Sequence, residues 1–237
     1  MGLADLHIHT IYSYDGTAPV AAVLNRAKEV GLSVIAITDH DEIKGSLKAF
    51  DLAPRFGIEV IPGLEVTTAE GDLLALFVTE TIQPNLSLIE TILKVGEAGG
   101  ICIAPHPMAR GMGMKSLSRA SIRQAMQHPE ASRILLGIET YNATALDRES
   151  NAHAQTLAEE FPILTEVGNS DAHVLETIGL GATEFLGYTA ANLLDALWIG
   201  ATEVRRRGAQ LGSARILGSW ALSYVLSAPA RAAVIEG

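Results

Sequence analysis

Short uninterrupted apolar runs alternate along the chain with segments whose apolar residues recur at helical spacing. The runs fall at 3–9, 33–38, 58–66, 72–78, 101–105, 134–140 and 163–168. Gly, Pro or Asp bounds them, as expected of short strands buried on both faces. The amphipathic segment 19–30 starts at Pro19 and stops at Gly31, 86–98 ends at Gly99-Gly100, and 144–160 ends before Pro162. These are helix start and stop signals with a steric basis. Further helices are expected at 190–199 and 212–228. The alternation predicts a single parallel α/β domain over 1–237, a barrel with its helices outside and residues 186–237 completing it as a helical C-terminal part. An open doubly wound sheet is the structural alternative. No Gly-x-Gly-x-x-Gly or Walker loop supports nucleotide binding of that type.

Composition narrows the class. Of 237 residues, 48% are hydrophobic and 19% charged, which excludes a disordered or collagen-like chain. Seventeen Lys and Arg against 27 Asp and Glu give a net charge of −10. Such a chain is a poor wrapper of duplex nucleic acid, although a local basic patch can still grip a phosphate. The single cysteine, Cys102, makes no internal disulfide and suits a reducing cytoplasm, the expected location. The first ten residues lack the basic and apolar regions of a signal peptide, and Leu6 breaks a myristoylation pattern. The most membrane-like stretch, 216–230, holds three Ser and a Pro between Arg215 and Arg231. It is too short and polar for an ordinary span. It is expected as a helix buried on the domain or in a dimer, with no membrane partner and with oligomerisation open. Arg205-Arg206-Arg207 reads as a charged helix end or turn.

The chemistry-bearing residues are not scattered. His7 and His9 close the first run, Asp39 and His40 follow the second, and Glu65 ends the third. His106 follows 101–105, Glu139 ends 134–140, and Asp171 and His173 follow 163–168. Five of the seven histidines therefore lie at carboxyl ends of strands. In a parallel barrel these ends share one face, where such folds build their sites. Residues i and i+2 of a strand point the same way, so His7 and His9 aim at one point, as do Asp171 and His173 if the chain stays extended. Imidazoles mixed with carboxylates suit Zn, Mn or Fe better than Ca or Mg alone. A carboxylate such as Glu65 can bridge two ions roughly 3.5–4 Å apart. His128 and His153 lack this context and read as surface residues.

These stretches resemble the PHP (polymerase and histidinol phosphatase) superfamily. The resemblance rests on Asp5-Leu6-His7-Ile8-His9-Thr10 with Ser13-Tyr14-Asp15-Gly16, Ile37-Thr38-Asp39-His40-Asp41, Gly63-Leu64-Glu65, Ala104-Pro105-His106-Pro107 and Ser170-Asp171-Ala172-His173, over roughly residues 3–185. It implies a distorted (β/α)7 barrel, TIM-like, with two or three divalent ions at the carboxyl ends of the strands. By that resemblance His7, His9 and Asp171 hold one ion, Glu65 bridges to a second on His106, and Asp15, His40 and His173 surround a third. The chain departs from the family at Asp72, where members commonly carry histidine; Asp72 is either a carboxylate ligand or a solvated turn residue.

Such a cluster points to a metal-dependent phosphoesterase acting on phosphate mono- or diesters through metal-bound hydroxide. Asp171, His173 and His40 are the candidate catalytic residues. Arg110, four residues past His106, is the expected phosphate clamp, with Glu139 and Asn142 assigned to substrate or to supporting contacts. The loop 111–114 is either a closing loop or an ordinary connection. The expected partner is a small phosphorylated substrate, including a nucleotide or short oligonucleotide. A non-catalytic metal-stabilised module and amidohydrolase-like cleavage of C–N or C–O bonds are the competing classes.

Overall fold

The structure is a computed structural model that describes residues 1–109, 115–144, 149–207 and 213–235. Its strands are β1 (Gly2–Asp5), β2 (Val34–Ile37), β3 (Glu59–Thr67), β4 (Asp72–Leu76), β5 (Ile101–Ala104), β6 (Leu135–Asn142), β7 (Thr165–Asn169), β8 (Gly181–Phe185) and β9 (Thr202–Arg206). They form one sheet in the order β7-β6-β5-β4-β3-β2-β1-β8-β9. The helices are α1 (Val20–Glu29), α2 (Lys44–Phe56), α3 (Leu88–Glu97), α4 (Arg119–Gln127), α5 (Ala131–Ile134), α6 (Ser150–Glu160), α7 (Ala190–Ile199), α8 (Ser213–Leu226) and α9 (Ala228–Ile235).

The sheet curls into a nearly closed, distorted TIM-type barrel. Thr183 in β8 ties β7 across the gap: its hydroxyl accepts from Gly168 N (3.1 Å) and donates to Gly168 O (3.0 Å). Gly168 is required there, because a Cβ would lie 2.8 Å from Val204 and 2.9 Å from Ala182 O. Just beyond the carboxyl ends of β1 and β7, Ile8 bridges Ala172, and His9 N donates to Ala172 O at 2.9 Å.

The expectation of an all-parallel sheet is corrected. β4 runs antiparallel to β3 and β5, and β8 is antiparallel to β1 and β9. β8 and β9 escape sequence reading because GATEF and TEVRR mix polar with apolar positions. Arg205 and Arg206 accordingly belong to a strand rather than a helix end or turn. α2 was hidden by Gly45 at its start and Pro54 in its last turn. α3 begins as the sequence requires: Ser87 Oγ accepts from Glu90 N, while Glu90 accepts from Ser87 N, a reciprocal cap.

Alternate residues of β2 serve two cores. Ile35 and Ile37 pack under α1 and α2 with Val23 and Leu24. Val34 and Ala36 face the other way, with Ile61, Leu74, Val167 and Phe185, against Leu193 and Leu197 of α7. Each such fully buried Leu, Ile or Phe stabilises the fold by about 1.5–3 kcal/mol. This packing fixes the strands whose carboxyl ends carry the polar cluster.

The 216–230 region divides between two helices where one was expected. α8 ends at Leu226, and α9 begins at Ala228, with Pro229 tolerated in its first turn. α8 is not buried as a whole: Ile216 is, but Leu222, Val225 and Leu226 are exposed. Among the described residues, no helix is long and apolar enough to cross a membrane.

Candidate metal centre

Glu65, the seventh residue of β3, stands at the middle of the cluster and is almost wholly buried. Its Oε2 lies 3.1 Å from His7 Nε2, 3.3 Å from His9 Nε2 and 3.3 Å from His40 Nδ1. Its Oε1 lies 3.1 Å from His106 Nε2. Asp171 Oδ1 approaches both His9 Nε2 (3.3 Å) and His7 Nε2 (3.4 Å). Asp15 Oδ2 approaches His173 Nε2 (3.1 Å) and His40 Nε2 (3.4 Å).

These side chains form four overlapping groups with mutually close ligand atoms: His7, His9 and Asp171; His7, Glu65 and His106; His40, Glu65 and Asp72; and His9, Asp15, His40 and His173. All nine residues expected to bear metal are thus brought together. Asp72 joins them because β4 is antiparallel: its first residue pairs with Thr67, at the carboxyl end of β3.

Asp171 and His173 converge by another route than a continued strand. Asp171 has φ 53°, in the left-handed region, so the chain turns there; His106, at φ 28°, is also left-handed. Such non-glycine strain persists where surrounding contacts over-determine it. At His106 one such contact is its N–H donating to Glu139 Oε2 at 2.8 Å.

A second layer of polar side chains lies beneath the cluster. Glu139 accepts from Asn142 Nδ2 (3.0 Å) and Asn169 Nδ2 (2.8 Å), besides His106 N, and faces His7 Nδ1 at 3.3 Å. Asn142 also donates to Asp171 Oδ2 at 3.0 Å. Glu139 and Asn142 are buried and are not among the described residues lining the cavity above the cluster. Their contacts are with the ligand residues. An Nδ1–H bond from His7 to Glu139 leaves Nε2 free for an ion, the usual outer-shell arrangement at metal-bound histidine. Asn169 escaped sequence reading; its position at the end of β7 is the signal that pointed to its neighbours. Asp39, quoted in the motif, accepts from Thr10 N (2.6 Å) and Thr10 Oγ1 (2.8 Å), holding the loop that carries Asp15.

Electrostatics and unmet hydrogen bonds both fit a cation. Burial pulls the His7 pKa down, but Asp171, Glu65 and Glu139 together lift it well above its ordinary value. Burial likewise opposes His173, yet Asp15 and Asp171 raise it to about 9. Burial pushes Asp72 up to about 6, helped by the charge of Glu65. Among the described residues, buried His9 Nδ1 and Asp72 Oδ1 have no hydrogen-bond partner, and His9 Nε2 and His40 Nδ1 meet carboxylate oxygens at 3.3 Å without hydrogen-bond geometry. Buried polar atoms are seldom left so, and nitrogen and carboxylate donors facing one another are what a divalent transition ion takes.

The PHP domain family model matches residues 5–175, and every cluster residue lies within that span. The chain belongs to the PHP family. It is 44% identical over 114 residues to the uncharacterized protein MJ1587 of Methanocaldococcus jannaschii, covering 44% of this chain and 67% of that one. A phosphoribosyl 1,2-cyclic phosphate 1,2-diphosphodiesterase of Eggerthella lenta is 37% identical over 65 residues, 27% of this chain and 24% of the relative. The fold is similar to the crystal structure of a Bacteroides vulgatus two-domain protein containing a predicted PHP-like metal-dependent phosphoesterase. That match has a TM-score of 0.70 at 17% identity, covering 93% of this chain and 69% of the other.

Arg110 and the loop 111–114 lie outside the described residues. Arg119 and Arg123 pair with Glu160 on the outer surface. His153 is exposed and His128 half-buried, both away from the PHP cluster. Sequence reading missed the wall of the cavity: Ile216, Leu217 and Trp220 of α8, beyond the matched family span, line it together with Tyr14, Asp15, His40 and His173.

Proposed function

We propose that the chain is a metal-dependent phosphoesterase that hydrolyses small phosphate mono- or diesters. The observation that carries this reading is Glu65, a buried carboxylate with four imidazoles around its two oxygens. One carboxylate so placed is suited to bridge two cations. In this proposal His7, His9 and Asp171 would hold one ion, His106, Asp72 and Glu65 would hold a second, and Asp15, His40 and His173 would offer a third site. Mn, Zn or Fe suits these donors. Bound ions supply an acidified water and positive charge for the phosphoryl oxygens.

The chain's own groups do the rest. Glu139 and Asn142 orient His7 and Asp171 from beneath. His173 and His40 line the cavity and reach Asp15, so a proton held on either can pass to the leaving alkoxide when the third site carries no ion. Arg110 follows the His106 turn and is proposed to clamp the phosphate. The substrate is proposed to be small, a nucleotide or short oligonucleotide included, in a cytoplasmic setting without a membrane.

The test is elemental analysis of protein purified without chelator, followed by assay of matched phosphate, amide and lactone compounds with Mn, Zn or Fe. At least two ions per chain and chelator-sensitive release of phosphate or alcohol are expected. Asp171→Asn should lose roughly a hundredfold in rate, the scale of removing a major transition-state stabiliser. Less than one ion per chain after incubation with Mn or Zn, or no phosphate ester turned over, would overturn the reading.

A further inference from the structure

The cavity over the cluster, about 360 Å³, has two unlike halves. Its floor is the His and carboxylate cluster. Its wall is apolar and comes largely from a different part of the chain: Val174 beside His173, and Ile216, Leu217 and Trp220 on α8. Tyr14 completes the rim, 67% exposed and stacked on His40 with ring centroids 4.9 Å apart and planes at 18°.

Trp220 is held in place rather than merely present. Its Nε1–H donates to the backbone carbonyl of Asp15 at 2.8 Å. Tyr224, one helical turn on, packs at 5.0 Å between centroids, and the Arg231 guanidinium lies 3.2 Å above the Tyr224 ring. The stack Arg231–Tyr224–Trp220 therefore fixes an indole at the mouth of a charged site. A phosphate alone needs no such wall. Two aromatic rings beside a phosphoester centre suit a substrate whose alcohol portion is itself a flat ring system, since ring stacking is sequence-tolerant and favourable in a partly dry cavity.

We infer that α8 is the specificity wall of this site, and that Trp220 with Tyr14 selects phosphate esters carrying a flat ring on the leaving portion. The inference rests on the phosphoesterase reading and deepens it by naming the substrate class. Trp220 acts on binding of the leaving portion and touches none of the reacting atoms.

The test compares esters with matched leaving alkoxides on the Mn-loaded protein. Adenosine 5′-monophosphate is set against ribose 5-phosphate, and benzyl phosphate against ethyl phosphate. The ring-bearing ester of at least one pair should be preferred in kcat/KM by roughly tenfold, the scale of one aromatic stacking contact. Trp220→Leu should bring that ratio to within about twofold of unity through KM, whereas Trp220→Phe, which keeps a ring but loses the N–H, should retain most of it. Ratios near one in both pairs, or a ratio untouched by Trp220→Leu, would overturn the inference.

A second readout is independent of turnover. The chain has two tryptophans, Trp198 and Trp220, and Trp198 is exposed on α7. In Trp198→Phe protein the emission reports Trp220 alone. Saturable change with adenosine 5′-monophosphate and none with ribose 5-phosphate supports the ring-binding wall even if no ester is hydrolysed, in which case only the phosphoesterase reading fails. No saturable change with adenosine 5′-monophosphate or benzyl phosphate overturns the wall itself.

Discussion

Asp72→Asn should do opposite things to the protein with and without metal. Asp72 is 3% exposed, its Oδ1 has no hydrogen-bond partner among the described residues, and Glu65 and His40 are its neighbours in the cluster. Burial first, and the Glu65 charge second, raise its pKa from 3.8 to about 6. A carboxyl whose folded pKa lies above its unfolded one destabilises the fold once pH exceeds the unfolded value. The penalty grows up to the folded pKa and is then constant. A shift from 3.8 to about 6 corresponds to about 3 kcal/mol at pH 8 and roughly half that at pH 5.

Asn has nearly the same shape and no charge to desolvate. Thermal unfolding of chelator-treated protein should therefore show Asp72→Asn more stable than the parent at pH 8, with the gain shrinking toward pH 5. With Mn or Zn present the order should reverse, because an ion held by a carboxylate binds less tightly to an amide, and ligand-linked stabilisation falls with affinity. Asp72→His should keep the metal-dependent gain. A turn residue without a metal role would behave differently: Asp72→Asn would be neutral or destabilising in chelator and would leave the metal-dependent rise in Tm unchanged. An unchanged metal-dependent rise refutes the assignment of Asp72 to the second ion; a neutral or destabilising result in chelator refutes the burial penalty.

Loading the metal-free protein should release protons, since carboxylates raise His7, His9, His40, His106 and His173 above their ordinary pKa despite burial. The stabilisation these histidines gain from their carboxylates is full below about 6.5 and is lost as pH rises through the folded value, about 9 for His173. Apparent Mn or Zn affinity should accordingly rise with pH across that window, and calorimetry in buffers of different ionisation enthalpy should count the protons; a pH-independent affinity would contradict the arrangement. Glu139→Gln presents an amide N–H to a site already filled by donors, and should lower metal affinity roughly 10–100-fold in a chelator competition. An effect on KM with unchanged metal affinity would instead mark Glu139 as a substrate contact. Gly16→Ala would place a Cβ 1.9 Å from Thr10 O, so it should cost roughly 1–3 kcal/mol and displace Asp15, read as lower Tm and weaker binding of the last ion.

Most of the proposed ligands were legible because a strand's carboxyl end is a position that short-range pattern can find. His7, His9, His40, Glu65, His106, Asp171 and His173 all follow apolar runs, and the barrel gathers such ends whatever the loops do. Asp72 was legible only as a departure from a family pattern. Its placement depends on β4 reversing direction, which one apolar run of five residues does not announce. Nor did the pattern show that the chain turns at Asp171 instead of extending, because aspartate tolerates a left-handed φ without requiring it.

What stayed illegible is of one kind: contacts set by where a distant element docks. Glu139 and Asn142 were visible as polar strand-end residues, but whether they meet substrate or ligands depends on depth. In the structure they are buried beneath His7, His106 and Asp171 and bond to them. Trp220 is the extreme case, 205 residues from its partner Asp15. Its helix reads from sequence as an apolar segment of ambiguous use, and only its docking over the cluster gives Ile216, Leu217 and Trp220 a role. The proposed metal-binding end of this site is thus encoded by strand register, which sequence reveals. Its proposed selectivity rests on the seating of α8, which sequence does not reveal. The two should therefore come apart experimentally: changes on α8 should alter which ester is chosen while leaving the ions in place, and changes at the strand ends should alter the ions themselves.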